Sequence, residues 1–298
     1  MQVAILYDID GWAYHAEAKG LQKYLQLNNI ASDLYRVSSF NSLPRATQDL
    51  YDIVLLFPRQ AKNITFDFNK IVTVFSSYGQ FNFQEENNGS QFKYIICRSL
   101  DILKKAKKAI PGKQEIFYMP LAIDTDIFYP VPQEHKNFTV GFAGNTNRAI
   151  KNFPLIQEVM EEMPEIDWKI ASFDKRGRIP HEEMPKFYNN LDLLICASTM
   201  EGGPLTAFEA GCCGVPTVTS CEKSAIKEFI QLNEFHGQMC EGTVEGFKKA
   251  IRSIARNPEW HENMKMVVKR DMWEMHSWKK VIHQYISLFK QMTGAYND

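Results

Sequence analysis

Several signals that would settle a function at once are missing from this 298-residue chain. Its six cysteines, Cys97, Cys196, Cys212, Cys213, Cys221 and Cys240, form no C-x-x-C pair, which removes the common zinc and dithiol patterns. Several lie in apolar strand or helix patterns, so free buried thiols are expected, as in a reducing compartment. No apolar run approaches the roughly 18 residues of a membrane helix. Neither sign of charge is in excess: the net charge is −1, which provides no global field for nucleic acid or an acidic membrane. A lysine-serine phosphate loop is absent, and Gly141-x-x-Gly144 is too little for a dinucleotide motif. The opening MQVAILYDIDGWAYH has neither a basic leader nor a long apolar core, so it is expected to be a first strand rather than a signal peptide. Internal repeats and low-complexity tracts are also lacking. These absences lead to the expectation of a soluble cytoplasmic protein.

What is present is globular: 45% hydrophobic and 23% charged residues, in a chain long enough for two ordinary domains. Short apolar runs alternate with amphipathic stretches. Val3–Tyr7, Ile53–Phe57, Ile71–Phe75 and Tyr94–Cys97 read as strands. Helical periodicity covers Ala16–Leu27 and the lysine-rich Leu100–Ala109. The pattern pauses at Tyr118-Met-Pro-Leu and Tyr129-Pro-Val-Pro, which places a domain boundary between residues 120 and 137. It then restarts, with strands at Thr139–Ala143, Trp168–Ser172, Leu193–Cys196 and Val215–Thr219 and helices at Phe153–Met163 and Glu245–Arg256. Strands and helices alternating at this spacing predict an α/β protein with parallel sheets covered on both faces. Trp273–Gln291 predicts one amphipathic helix. Gln84–Gln91 predicts a loop. Lys104, Lys105, Lys107 and Lys108 form a basic cluster, read as a solvated helix face with an anionic membrane or polymer contact as the alternative.

Three loops compete for a site. Asp8–His15 follows the first strand, where open parallel sheets bind ligands; Gly11 would let backbone approach a ligand, and His15 is either a ligand contact or a surface histidine. Gly144–Lys151 follows another strand and carries Arg148 and Lys151, a planar fork and a mobile point charge suited to a diphosphate. The third loop, Thr199–Pro204, opens EGGPLTAFEAGCCGVPTVTS, residues 201–220. Here Glu201 precedes Gly202, Gly203 and Pro204, and Glu209 lies in the helix that follows. Proline favours a helix start and Gly214 a helix end, which predicts a helix over Pro204–Cys213 with an exposed amino end. Unpaired N–H groups and a positive dipole there suit a phosphate-bearing ligand. Read alone, Glu201 is equally a capping aid and Glu209 a solvated helical residue.

The segments YIICRSLDILKKA with Ser99, PLAIDTDIFYP with Asp124 and Phe128, GFAGNTNRAIKN, and FYNNLDLLICAST with Asp192 and Ser198 lead in order into the two-glutamate segment. The final helix adds Trp278 and Tyr285. In this company the chain resembles the retaining glycosyltransferases of the group 1, family 4-like type, with the EX7E spacing at Glu201 and Glu209. The resemblance implies two facing Rossmann-like domains (the GT-B fold) and a C-terminal helix crossing back to the first. The corresponding divisions are residues 1–125 on the acceptor side, 126–272 for the nucleotide sugar, and 273–298 for the returning helix.

The same resemblance implies transfer of a sugar from a nucleoside diphosphate to an acceptor hydroxyl, without a cofactor. Glu209 would accept from the ribose hydroxyls and Glu201 would hold a donor-sugar hydroxyl. The amides of Gly203 and Leu205 would meet the distal phosphate, with Gly144, Asn145, Gly202 and Pro204 around the donor. Arg148 and Lys151 would stabilise the leaving diphosphate, and Gly11 would serve donor phosphate or acceptor. The chain departs from the family pattern at Asn145, where relatives place arginine, at Gly11-Trp12, where they carry a glycine pair, and at Phe75, often histidine. Alternatives that stay open are a nucleotide-sugar epimerase or phosphorylase, a silent carbohydrate- or polymer-binding scaffold, and transfer to a modified nucleic-acid base. Asp8-Ile-Asp10 and Asp124-Thr-Asp126 read as strand-end and linker residues rather than a metal motif. Activity is therefore expected to survive excess chelator in full; complete loss restored by a divalent metal would reject this reading.

Overall fold

The structure is a computed structural model. It describes residues 1–57, 66–76, 92–110, 112, 115–133, 136–173 and 179–295. The expected loop at Gln84–Gln91 lies outside the described residues. The chain divides into two compact units: Met1–Ala122 with Ser277–Asp298, and Ile123–His276.

The first unit is built on a parallel sheet of β1 (Gln2–Tyr7), β2 (Ala31–Arg36), β3 (Ile53–Leu56), β4 (Ile71–Phe75), β5 (Tyr94–Cys97) and β6 (Glu115–Tyr118), in the order β2-β1-β3-β4-β5-β6. Helix α1 (Ala13–Leu27) joins β1 to β2. The short α2 (Val37–Asn41) and α3 (Arg45–Gln48) precede β3, and α4 (Leu100–Ala109) joins β5 to β6. The central strands are continuous apolar runs because both faces are covered. Alternate residues serve different cores: Val3, Ile5, Val72 and Ile96 join Leu21 and Leu25 of α1, whereas Ala4, Leu6, Ile71 and Ile95 join Phe40, Ile102 and Ala106. Helix α4 starts where Ser99 Oγ accepts from Ile102 N–H (3.1 Å), a side-chain cap.

The second unit carries β7 (Thr139–Gly144), β8 (Asp167–Ser172), β9 (Leu193–Cys196), β10 (Thr217–Thr219) and β11 (Gly237–Met239), parallel throughout and ordered β11-β10-β9-β7-β8. Its helices are α5 (Phe153–Glu161), α6 (Met184–Tyr188), α7 (Leu205–Cys212), α8 (Ala225–Ile230), α9 (Val244–Ala255) and α10 (Pro258–His276). Ile156 and Val159 of α5 and Phe247, Ile251 and Ile254 of α9 pack on Val140, Phe142, Leu193, Ile195 and Val218 of the sheet. On α7, a Cβ added at Gly211 would meet Met272 of α10 at 2.9 Å, so these two helices approach closely.

The sequence pattern predicts one helix over Trp273–Gln291, and here the structure differs. Helix α10 ends at His276, Ser277 is extended (φ −75°, ψ 143°), and α11 (Trp278–Thr293) begins afresh. Trp273 belongs to α10, its indole N–H donating to the Cys212 carbonyl in the second unit (2.9 Å). Apolar periodicity passed through the break because both helices bury one face.

Helix α11 completes the first unit. Trp278, Tyr285 and Phe289 are buried with the α1 side of the sheet. Gly20 of α1 leaves the space for this: a Cβ there would lie 2.2 Å from Trp278 Nε1. Beneath them Arg98 is 1% exposed and ion-paired to the equally buried Glu17. The same guanidinium donates to Tyr285 Oη (2.7 Å) and the carbonyls of Met119 (3.3 Å) and Pro120 (3.0 Å). One cation thereby ties β5, α1, the end of the first stretch of chain and α11.

All six cysteines are free, and burial raises the thiols of Cys221 to about 11 and of Cys97 and Cys240 to about 12. Since the thiolate is the nucleophile, the native protein at pH 7.5 should alkylate with iodoacetamide far more slowly than the urea-unfolded chain; equal rates would contradict this packing. Removing one partner of a buried ion pair typically costs about 3–5 kcal/mol. Glu17→Ala should therefore lower stability in urea titration by that order, while exposed Glu182→Ala should stay within about 0.5 kcal/mol.

Candidate functional site

In the second sheet β7, the first strand in sequence, lies between β8 and β9. Connections leaving β7 and β9 therefore diverge at the carboxyl edge of the sheet, and the crevice between them is where open α/β sheets take ligands. The loops at that edge hold the Gly144–Lys151 and Thr199–Pro204 residues. Thr199 N–H donates to the Ile150 carbonyl (2.9 Å) across the crevice. Glu201 N–H donates to the Lys223 carbonyl (2.9 Å), which fastens the segment to the loop after β10 as well.

Gly144 and Asn145 shape the first of these loops. A Cβ on Gly144 would fall 3.0 Å from Phe142 Cζ and 3.6 Å from Lys151 Cε, so the lysine stem crosses bare backbone. Asn145 Oδ1 accepts from Asn147 N–H (2.9 Å), and its carbonyl accepts from Arg148 N–H (3.2 Å), closing a tight turn. Lys151 ion-pairs with Glu201, both side chains about 15% exposed. Ser198 Oγ donates to the same Glu201 oxygen, Oε1 (2.9 Å). Arg148 is exposed and has no side-chain hydrogen bond or ion pair among the described residues. Of the two cations read from the loop, then, one is engaged by Glu201 and the other faces solvent.

Helix α7 begins at Leu205, one residue later than expected, with Pro204 as an extended N-cap that makes no side-chain cap bond. The expected exposure of this helix end is corrected: Gly202 and Pro204 are buried, and Gly203 and Leu205 are half-buried. Reading Glu201 as a capping aid is corrected too, since its carboxylate turns to Lys151 and Ser198. The first amides of α7 keep the orphan donors of any helix start, now in a partly enclosed place.

Glu209 is only 2% exposed, which corrects its reading as a solvated helical residue. Its Oε2 accepts from Tyr188 Oη (2.7 Å) and its Oε1 lies 2.6 Å from His181 Nε2. Burial, and then the charge of Glu209, push the Tyr188 hydroxyl well above its ordinary value, so it remains a donor. His181 escaped the sequence reading because it stands at no recognisable spacing from Glu209, and Tyr188, though inside the FYNNLDLLICAST segment, was given no role there. Only the Pro180-His-Glu-Glu helix start marks the region.

The Asp8–His15 loop belongs to the first unit, at the carboxyl end of β1, again a strand with neighbours on both sides (β2 and β3). Gly11 takes φ +70°, a left-handed conformation that glycine adopts without a Cβ penalty. Its N–H donates to His15 Nδ1 (2.7 Å), while His15 stacks on Tyr7 with centroids 4.3 Å apart. An imidazole nitrogen that accepts from an amide carries no proton. His15 is thus engaged by the backbone of its own loop through Nδ1.

Among the described residues, no group of three or more His, Cys, Asp or Glu side chains is placed to hold a metal ion, and no helix is long and apolar enough to cross a membrane.

The family model Glycosyl transferases group 1 matches residues 173–270, which span α6 to α10 and include α7. No curated protein matches the chain by sequence. Solved structures similar to it include sucrose-phosphate synthase from Thermosynechococcus elongatus, with 12% identity, a TM-score of 0.83 and 99% of both chains covered. Anabaena HepE in complex with UDP and glucose aligns at 12% identity and TM-score 0.73, covering 97% of this chain and 99% of that one. The catalytic domain of Arabidopsis thaliana starch synthase IV, bound to ADP and acarbose, aligns at 11% and 0.71, covering 98% and 99%. Two parallel sheets flanked by helices, a chain end returned to the first unit, and these matches agree: the chain is a two-domain protein of the GT-B fold, whose residues 173–270 are similar to the group 1 glycosyltransferases.

Proposed function

We propose that the protein is a retaining glycosyltransferase that moves a sugar from a nucleoside-diphosphate donor to an acceptor hydroxyl. The observation that carries the reading is the convergence, at the switch point of the second sheet, of a helix start with Glu201 before it and the buried Glu209 within it. The donor is taken by the second unit. Its diphosphate lies over the amides of Gly203 and Leu205, beside Gly144, Asn145, Gly202 and Pro204, where the positive helix end favours an anion. Glu209 accepts from the ribose hydroxyls, and Glu201 holds a hydroxyl of the sugar.

As the bond between the anomeric carbon and the diphosphate oxygen breaks, negative charge develops on the leaving group. Arg148 and Lys151 stabilise it. For Lys151 this means sharing itself between Glu201 and phosphate, which the flexible lysine stem permits. The departing diphosphate accepts the proton of the acceptor hydroxyl, whose oxygen bonds the anomeric carbon on the same face. Catalysis is thus largely positioning and leaving-group stabilisation. We assign the acceptor to the first unit, through the loop that carries Gly11 and His15. The reaction is placed in the cytoplasm, and the lysines of α4 offer a peripheral contact to an anionic surface.

A panel of nucleotide sugars screened by thermal stabilisation should give one clear winner, because a ligand selective for the folded state raises apparent stability. With that donor, Glu201→Ala and Arg148→Ala should each lower kcat by about a hundredfold, equivalent to roughly 2.7 kcal/mol of transition-state stabilisation. Glu209→Gln should chiefly raise the donor KM, by about tenfold or more. Normal binding and turnover in both glutamate variants would defeat the site assignment. Donor binding with neither transfer nor hydrolysis would identify a silent scaffold instead, and an altered free sugar formed without acceptor would identify an epimerase.

A further inference from the structure

We propose that His181 is a positioning residue for the donor nucleoside: it fixes the Glu209 carboxylate so that the remaining acceptor sites of that group meet the ribose hydroxyls. This rests on the donor-site reading above and extends it to a residue outside the two-glutamate segment.

A carboxylate 2% exposed is costly unless it is partnered. Glu209 has a partner on each oxygen: His181 Nε2 at 2.6 Å from Oε1, and Tyr188 Oη at 2.7 Å from Oε2. Each carboxylate oxygen offers about two acceptor sites, so one stays available on each, a pair suited to two neighbouring hydroxyls. Clamping both oxygens also stops rotation about the last torsion of the side chain. The pair of acceptors is then oriented before ligand arrives, which lowers the ordering cost of binding.

The two clamps differ in place. Tyr188 is completely buried and belongs to the interior of the second unit. The His181 side chain is 33% exposed, at the start of the single turn His181–Glu183, with its ring centroid 5.2 Å from that of buried Phe128. It is therefore the clamp nearer solvent, the one whose removal leaves the core intact while freeing Oε1.

The test is calorimetric binding of UDP, GDP, ADP and CDP, each with its 2′-deoxy counterpart, to the wild type, His181→Ala, His181→Gln and Glu209→Gln. For the best-bound nucleotide, His181→Ala should weaken the ribonucleotide about tenfold and the 2′-deoxy form less than about threefold, so that the preference for ribose collapses. His181→Gln, whose amide can donate to Oε1, should stay within about threefold of the wild type on both. In turnover, His181→Ala should raise the donor KM with kcat within about twofold. Wild-type affinity in His181→Ala, or an equal loss on ribose and deoxyribose that glutamine does not rescue, overturns the proposal. If that happens while Glu209→Gln is weakened, the donor site stands and only the role of His181 falls. Unchanged binding by Glu209→Gln, or no binding of any of these nucleotides by the wild type, overturns both.

Discussion

The arrangement of the candidate site depends on one constraint, the order of strands in the second sheet. Because β7 lies between β8 and β9, the chain leaves β7 and β9 in opposite directions and opens a crevice at their carboxyl ends. The Gly144–Lys151 and Thr199–Pro204 loops border that edge. Lys151 and Glu201, fifty positions apart, pair there, and Thr199 N–H reaches the Ile150 carbonyl at 2.9 Å. With β9 elsewhere in the sheet, the same residues would have no reason to meet.

Polar groups inside both units follow one rule: a charge taken from water must find several partners. Arg98 reaches a carboxylate, a phenol and two carbonyls, and so ties together elements that are remote in sequence. Glu209 is held from two sides by His181 and Tyr188. The first cluster is closed and serves architecture. The second borders solvent through His181, whose side chain is 33% exposed beside the buried carboxylate.

Much of the fold was legible, for a physical reason visible in the strands themselves. VAILY, IVLL, YIIC and LLIC are buried on both faces, and such runs stand out in the sequence. The missed strands lie at the edges of the sheets: ASDLYR of β2, EIFY of β6 and GQM of β11. An edge strand is short or half-exposed, so it lacks a continuous apolar signal. Helix α4 was legible to the residue, since Ser99 announces its start. The break at Ser277 was not, because neither proline nor glycine marks it and the apolar period continues from α10 into α11.

What the sequence by itself determined is local: the inner strands, the capped helices, and a helix bearing Glu209 that starts after Glu201-Gly-Gly-Pro. Backbone preference and apolar period act over a few residues, and they suffice for these. The tertiary structure alone decided the company each side chain keeps. It put Glu201 against Lys151 and Ser198, buried Glu209 between His181 and Tyr188, left Arg148 in solvent, and turned His15 Nδ1 to the Gly11 amide. Most of these contacts depend on which strands lie side by side, and that order is set by burial of whole faces, a property that no short stretch of sequence contains.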